Sequence, residues 1–311
     1  MVGLLSFVIP CYRSEKTITK VINEIANVAL QRKGFDYEII AVNDCSPDNV
    51  YEILAKTAEE NKRIKVINLV KNMGKHSAIL AGYAFVKGDY VINLDDDLQS
   101  PIENVWSLLD PVINGECDVA IAEYTRKQEA VWKRIGSNVN LAISEVLLDK
   151  PKGMRFENLS AMNRMVLDEV LKYKNPYPFL EGLVFRVTNK VISVPMEQRE
   201  RGDDNPTGFT FRRSFSLFIN GFTNFSVKPL RIALIIGLFF ALIGIIYGAY
   251  VVVRRILHPY IPAGWSSLMS VILFSSGTIM IILGIIGEYI GRIFICMNDS
   301  PQYVIRNTIN V

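Results

Sequence analysis

Short apolar runs alternate with amphipathic stretches through the first 125 residues. Leu5 to Ile9, Tyr37 to Val42, Ile64 to Leu69, Tyr90 to Leu94 and Val119 to Ala122 have the length and composition of strands. Between them, Lys16 to Gln31, Asn49 to Asn61, Ser77 to Val86 and Ile102 to Ile113 carry helical periodicity or helix-favouring residues. This alternation predicts an α/β domain with a mostly parallel sheet and helices on both faces, whose ligand site lies beyond the carboxyl ends of the strands. Four polar motifs fall at such ends: Pro10 to Glu15, Asn43 to Asp48, Lys71 to His76 and Asp95 to Gln99. Further helices are expected at Val131 to Leu148 and Met165 to Lys174, with the strands of that region left unplaced.

The pattern changes after a polar loop running from Arg199 to Thr210. Phe211, Phe215, Phe218, Phe222 and Phe225 recur at helical spacing, which places one aromatic face on a helix lying at a bilayer surface. Ile232 to Val253 and Trp265 to Gly287 then contain no charged residue. Each is roughly 33 Å long as a helix, enough to cross a hydrocarbon core of about 30 Å. Two buried helices of a soluble protein are the alternative. The chain therefore divides into a sheet domain (1–208), an amphipathic juxtamembrane helix (209–230), two transmembrane helices (231–287) and a C-terminal tail (288–311). Gly244 with Gly248, and Gly287 with Gly291, have the spacing that lets helices approach closely, within the hairpin or between protomers of a dimer or tetramer. Glu288 and Arg292 are set for an ion pair.

Composition sharpens this division. Half of the 311 residues are hydrophobic, and the excess is concentrated in the two apolar segments. The apolar start, Met1 to Pro10, lacks the charged beginning and cleavage site of a signal peptide, so the sheet domain and the tail are expected in the cytoplasm, at the inner membrane. Arg212, Arg213, Lys228 and Arg231 before the first apolar segment agree with this orientation, whereas Arg254 and Arg255 after it argue the other way. A formal charge of +3, from 34 basic and 31 acidic residues, does not suggest a nucleic-acid surface. Four scattered cysteines and two histidines make a structural zinc site a poor expectation.

The run Asp95-Asp96-Asp97 ends an apolar strand. Three adjacent carboxylates call for a cation. If the backbone stays extended, Asp95 and Asp97 share a side and Asp96 points away. Two hard oxygen donors, with Gln99 adding a neutral one, suit Mg²⁺ or Mn²⁺. The alternative is a solvated acidic turn before a helix beginning near Ile102, with Pro101 in its first turn.

Val8-Ile9-Pro10-Cys11-Tyr12, Asn43-Asp44-Cys45-Ser46-Pro47-Asp48, Lys71-Asn72-Met73-Gly74-Lys75 and Asp95-Asp96-Asp97-Leu98-Gln99-Ser100-Pro101, in that order, resemble the successive motifs of family 2 glycosyltransferases with the GT-A fold. Asn224 to Arg231, followed by two apolar segments, resembles the polyprenyl-phosphate branch of that family. The resemblance implies inverting transfer of a sugar, with UDP-glucose the base-rate donor, from a nucleotide sugar to a polyprenyl phosphate at the membrane's cytoplasmic face, with Mg²⁺ or Mn²⁺ as cofactor. It assigns Pro10, Tyr12 and Glu15 to the nucleoside, Asp44 to the base, and Asp95 to the ribose or metal shell. Asp97 and Gln99 fall to the metal, and Lys75 to the donor diphosphate or the acceptor phosphate. Arg199, Arg201, Arg212 and Arg213 are candidates for the acceptor phosphate.

Departures from the family pattern accompany these matches. Arg13-Ser14 replaces an Asn-Glu pair, Cys45 stands for a glycine, and Ser160 stands where an arginine is usual. The family's upstream acid has Glu157 as its nearest counterpart and catalytic candidate, and the 199–210 loop is rewritten. Two rivals share the motif set. A processive polysaccharide synthase would add a QxxRW-type segment and more spans, neither of which is visible; a non-catalytic membrane scaffold would have little reason to keep Asp44, Asp95, Asp97 and Gln99 together.

Overall fold

The computed structural model describes residues 3–124, 145, 154, 156–199, 228–257, 264–298 and 300–311. These form two units, one built on a sheet that includes the C-terminal residues 300–311, the other on two long helices.

The sheet unit contains β1 (Gly3–Cys11), α1 (Ile18–Ala29), β2 (Phe35–Asn43), α2 (Val50–Glu60), β3 (Ile64–Leu69), α3 (Lys75–Tyr83) and β4 (Tyr90–Asn93). A short turn of 3₁₀-helix (Ile102–Asn104) leads into α4 (Val105–Ile113), followed by β5 (Val119–Tyr124), β6 (Ser160–Asn163), α5 (Arg164–Val170), α6 (Leu180–Val187) and β7 (Val191–Met196). The strand order is β7-β5-β6-β4-β1-β2-β3-β8, with β8 (Ile305–Ile309) supplied from the end of the chain. The sheet is mostly parallel: β1 pairs in this sense with β2 and β4, β2 with β3, and β5 with β7. The antiparallel pairings are β4 with β6, β5 with β6, and β3 with β8. Successive strands run outward from β1 to β3, then cross back to β4 on the other side of β1. The crevice between the carboxyl ends of β1 and β4 is thus the topological switch point, where open α/β sheets bind ligands.

Helix faces explain the layers. On α1, Ile18, Val21, Ile22, Ile25, Val28 and Ala29 are buried, a single apolar stripe. Helix α3 is buried on nearly every side from Ser77 to Tyr83. At Gly82 an added Cβ would lie 2.6 Å from Val8 Cγ1, so a glycine is what lets α3 settle onto β1 and β2. The predicted strands and the first four helices all form, with ends shifted by up to three residues; the expected helix at Val131 to Leu148 lies outside the described residues apart from Glu145. The sequence pattern did not reveal β6, β7, α6 or β8. Most of Ile305-Arg306-Asn307-Thr308-Ile309 is polar, because β8 is an edge strand with one side in water. The segment expected to be a tail is in part sheet.

A buried ion pair lies at the opposite end of the strands from the switch point. Lys65 Nζ is 2.5 Å from Glu38 Oε2, and both side chains are almost fully enclosed. Glu38 Oε1 also accepts from Ser6 Oγ at 2.6 Å and from the Lys87 N–H at 2.7 Å. Burial resists ionisation of Glu38, but Lys65, Ser6 and Lys87 outweigh it and hold the carboxyl below its ordinary value.

In the second unit, α7 (Lys228–Leu257) packs against α8 (Trp265–Met297), with the Phe240 and Phe274 rings 5.0 Å apart. Their outward side chains are apolar: Leu234, Leu238, Met280, Ile281 and Phe294 are each at least 65% exposed, which water does not favour over a whole helix. Among the described residues one stretch, Phe274–Met297, is long and apolar enough to cross a membrane. Helix α8 starts at Trp265, where the expected span starts, and continues beyond Gly287 past Glu288 and Arg292, which pair at 2.5 Å. Among the described residues, a Cβ added at Gly244, Gly287 or Gly291 would touch nothing within 4 Å.

Glu38→Gln is expected to leave Lys65 buried without its counter-charge and to cost about 3–5 kcal/mol, read as a lower thermal unfolding midpoint. A depressed carboxyl pKa gives stability that is present above the ordinary glutamate value and is lost as pH falls through the folded one. Wild type should therefore lose more stability than Glu38→Gln on acidification below about pH 4.5.

Candidate active site

The site is built from the loops that leave β1, β2, β3 and β4. Loop 12–15 and loop 43–49 clasp one another: the Arg13 N–H donates to Ser46 Oγ at 2.7 Å, the Glu15 N–H to Asp48 Oδ2 at 3.0 Å, and the Asn49 N–H to Glu15 Oε2 at 3.1 Å. Arg13 and Cys45 both take positive φ, of 60° and 51°, at the two tight corners. Pro10 is buried within β1 in register with Val42, and Tyr12 is the exposed ring of this loop, with the Arg13 guanidinium 5.5 Å from its centroid. Glu15 spends its carboxylate on the start of α2.

Asp44 is 4% exposed. Its two oxygens accept the Met73 and Gly74 N–H groups at 2.7 and 2.9 Å, thereby shaping the turn that starts α3. Burial raises its pKa against the pull of those two amides. Gly74 has φ +84°, a conformation few other residues accept, and the next residue is Lys75. Lys75 Nζ forms an ion pair with Asp95 Oδ1 across the crevice. The other Asp95 oxygen accepts from Asn158 Nδ2 at 2.7 Å.

The carboxylate triplet is not a continuation of the strand. Strand β4 ends at Asn93, and Leu98 takes φ +64°, so the alternation expected from extended backbone does not apply to Asp95–Asp97. Hydrogen bonding separates the three instead. Asp96 turns inward: Oδ2 accepts the Tyr12 N–H at 3.0 Å, and its main-chain carbonyl accepts from Thr17 Oγ1 at 2.5 Å. Burial, with Asp95 and Asp97 adding to it, pushes the Asp96 pKa up to about 6. Asp97 Oδ1 accepts the Gln99 N–H at 3.1 Å, closing the turn. Among the described residues no three His, Cys, Asp or Glu side chains converge into a ready-made metal cage. The hard oxygens of Asp95, Asp97 and Gln99 nevertheless fit an ion that draws its other ligands from phosphate and water.

Several site residues were not anticipated. Asn158, rather than its neighbour Glu157, is the side chain of this segment bonded to Asp95. It arrives there because β6 runs antiparallel to β4, with Ser160 opposite Asn93. Tyr124 ends β5 near Glu157, Asp95 and Asp97, and burial pushes its pKa to about 12, so the phenol stays neutral. His76 packs edge-on against Phe179, and its Nδ1 lies 3.5 Å from the Leu180 N–H; burial and then Lys75 push its pKa down to about 4. None of these contacts is recoverable from spacing, since each depends on which elements are neighbours.

Arg199, expected at the acceptor phosphate, has other partners. Its Nη1 is 2.7 Å from Glu24 Oε2, its Nη2 pairs with Glu103, and its N–H donates to the Gln99 carbonyl at 3.2 Å. Two carboxylates satisfy this guanidinium, which clasps the chain after β7 to α1 and to the loop carrying Gln99. Arg201, Arg212 and Arg213 lie outside the described residues.

A row of asparagines ties the last strand to the site. Asn43 Oδ1 accepts the Ser46 N–H at 3.1 Å and its Nδ2 donates to Asn68 Oδ1 at 2.9 Å; Asn68 Nδ2 donates to Asn307 Oδ1 at 2.9 Å, and Asn307 contacts the Tyr51 hydroxyl. The three are in register across β2, β3 and β8.

Comparison with known proteins agrees with this geometry. The profile of the Glycosyl transferase family 2 domain matches residues 6–172, more than half of the chain. The chain belongs to glycosyltransferase family 2. A second profile, the GtrB C-terminal hairpin, matches residues 228–293. The undecaprenyl-phosphate 4-deoxy-4-formamido-L-arabinose transferase of Klebsiella pneumoniae (strain 342) is 29% identical, covering 98% of this chain and 93% of its own. The bactoprenol glucosyl transferase of Shigella phage SfV is 29% identical, covering 97% and 98%. Among solved structures, glucosyl-3-phosphoglycerate synthase from Mycobacterium tuberculosis, in complex with Mn²⁺, UDP and glucosyl-3-phosphoglycerate, superposes with a TM-score of 0.52 at 18% identity, covering 70% of this chain and 77% of that one. That likeness establishes the GT-A fold of this family 2 enzyme.

Asn307→Leu is expected to leave the buried Asn68 amide without its acceptor and to loosen the 43–49 turn by about 1–3 kcal/mol. Hydrogen exchange read by mass spectrometry should show faster exchange in the peptide containing Ser46, and Asn307→Asp, which keeps an acceptor, should be milder.

Proposed function

We propose that this glycosyltransferase moves a sugar from a nucleotide sugar, UDP-glucose first, to a polyprenyl phosphate at the cytoplasmic face of the membrane, with inversion at the anomeric carbon. The observation that carries this reading is the meeting, at one topological switch point, of an exposed aromatic loop, the buried Asp44, the Lys75 ammonium and the Asp95–Asp97 loop. Tyr12 offers a face for the nucleoside and Asp44 an acceptor for a base N–H. The donor diphosphate lies toward Lys75. Asp95, Asp97 and Gln99 would hold Mg²⁺ or Mn²⁺, which when bound supplies Lewis-acid neutralisation of the departing diphosphate. The structural relative named above holds Mn²⁺ together with UDP, and both sequence relatives are named for transfer to a lipid carrier.

The acceptor needs little activation. A phosphomonoester has a second pKa of about 6 and is largely dianionic at neutral pH, so it attacks without a strong base. Its requirement is positioning by cations, for which Arg201, Arg212 and Arg213 stand as candidates, with Lys75 shared between the two phosphates.

Strand topology supports a two-helix membrane hairpin. Strands β1 and β8 belong to one sheet, so the chain before α7 and the chain after α8 lie on one side of any bilayer that α8 crosses. Helix α7, at 30 residues, is the segment available for the return. Among the described residues nothing lies within 4 Å of a Cβ added at Gly244, Gly287 or Gly291, which leaves room for a second copy, in keeping with a dimer or tetramer.

Purified enzyme should transfer labelled sugar from one member of a nucleotide-sugar panel to undecaprenyl phosphate, with transfer abolished by chelation and restored by Mg²⁺ or Mn²⁺. Asp97→Asn should lower kcat by about 10²–10³-fold. Transfer indifferent to both chelation and the substitution would sink the metal-assisted mechanism, and no transfer from any donor would favour the scaffold.

A further inference from the structure

We propose that Lys75 is the resident counter-ion of Asp95, and that it keeps the divalent cation out until a nucleoside diphosphate arrives to draw the ammonium away. This rests on the nucleotide-sugar reading of the site and adds the order in which its ligands bind.

Three observations carry it. Both Asp95 oxygens have partners within the chain, one the Lys75 ammonium and one the Asn158 amide. A divalent ion placed against Asp95 would sit a few ångströms from a positive charge already there, and like charges in a partly buried crevice repel strongly. The side chains of Lys75 and Asp95 are only 35% and 23% exposed, so water screens this repulsion incompletely.

Lys75 is also poorly placed to leave without a new anionic partner. It is the first residue of α3, where the helix dipole disfavours a cation, and the first turn carries no acid that could take over from Asp95. A diphosphate is that partner. Its negative charge can hold the ammonium and supply the remaining oxygens that a small divalent ion requires.

The same turn links this exchange to the base. Asp44 fixes the Met73 and Gly74 amides, and Lys75 follows directly. A nucleoside bound at Asp44 therefore sets its diphosphate beside the one ammonium that must move. Cation and nucleotide then bind with positive coupling, which thermodynamic linkage makes reciprocal.

The test is a titration of full-length protein in detergent with Mn²⁺, followed by electron paramagnetic resonance, with and without UDP or GDP. Wild type should bind Mn²⁺ at least about tenfold more weakly without nucleotide than with it. Lys75→Met should strengthen nucleotide-free Mn²⁺ binding about tenfold and shrink the coupling. Lys75→Gln should act in the same direction, while Lys75→Arg, which keeps the charge, should stay close to wild type. Asn158→Ala removes a hydrogen bond from Asp95 without changing charge, and should leave nucleotide-free affinity within about twofold.

Unchanged or weaker nucleotide-free binding in both Lys75→Met and Lys75→Gln would overturn the proposal, as would an Asn158→Ala effect as large as theirs. A wild type that binds neither nucleotide under any condition would defeat the nucleotide-sugar reading. The nucleotide-free comparison of the Lys75 variants would still decide whether the ammonium excludes the cation.

Discussion

The buried carboxylate of Asp44 is the contact on which the arrangement of the site depends. A carboxylate enclosed at the end of β2 is costly unless hydrogen-bonded, and the donors that satisfy it are consecutive main-chain N–H groups from the loop after β3. That requirement fixes the turn at Met73 and Gly74, the positive φ at Gly74 and the starting point of α3. Helix α3 is then committed along its length, because Gly82 seats it against Val8 and Val42. Lys75 therefore begins α3 at a fixed place, from which its ammonium reaches Asp95.

The crevice concentrates negative charge, and each carboxylate is managed by a different device. Asp44 is bonded by amides, Asp96 is buried against the Tyr12 N–H with its pKa raised to about 6, and Asp95 is paired with Lys75. Three adjacent aspartates thus become three chemically different groups. One holds the loop after β1, one carries a counter-ion, and Asp97 closes its own turn through the Gln99 N–H. Arg199 extends the pattern by anchoring the Gln99 carbonyl while its guanidinium answers Glu24 and Glu103. Charges that look redundant in the sequence are each bound to a particular partner in the fold.

Much of the sheet was legible in the sequence because parallel strands are written as continuous apolar runs and their helices as stripes. Ile64 to Leu69 matches β3 residue for residue, and the motif-bearing loops fall at strand ends as expected. What failed to show depends on neighbours that a linear pattern does not encode. Strand β6 is four residues long, and its importance is that it runs antiparallel beside β4 and delivers Asn158 to Asp95. Asp96 does turn away from Asp95 and Asp97, but the extended backbone expected to cause this is absent: a turn at Leu98 replaces it, and the Tyr12 N–H holds Asp96 inward. Arg199 looked available for phosphate because its acidic partners are 175 and 96 residues away in sequence.

Strand β8 illustrates the same limit and has a mechanical consequence. Three of its five residues are polar, so nothing marks it as sheet, yet it closes the β3 edge and completes the row Asn43–Asn68–Asn307. Each amide in that row both donates and accepts, so the row has a direction and tolerates no missing member without leaving a buried group unpaired. The last residues of the chain therefore help to hold the turn that carries Asp44 and Ser46. Because α7 and α8 intervene between β7 and β8, the sheet cannot be completed until both helices have been made and the chain has returned. A sheet that is finished only by a strand beyond the apolar helices makes the integrity of the 43–49 loop conditional on those helices, through covalent connectivity alone.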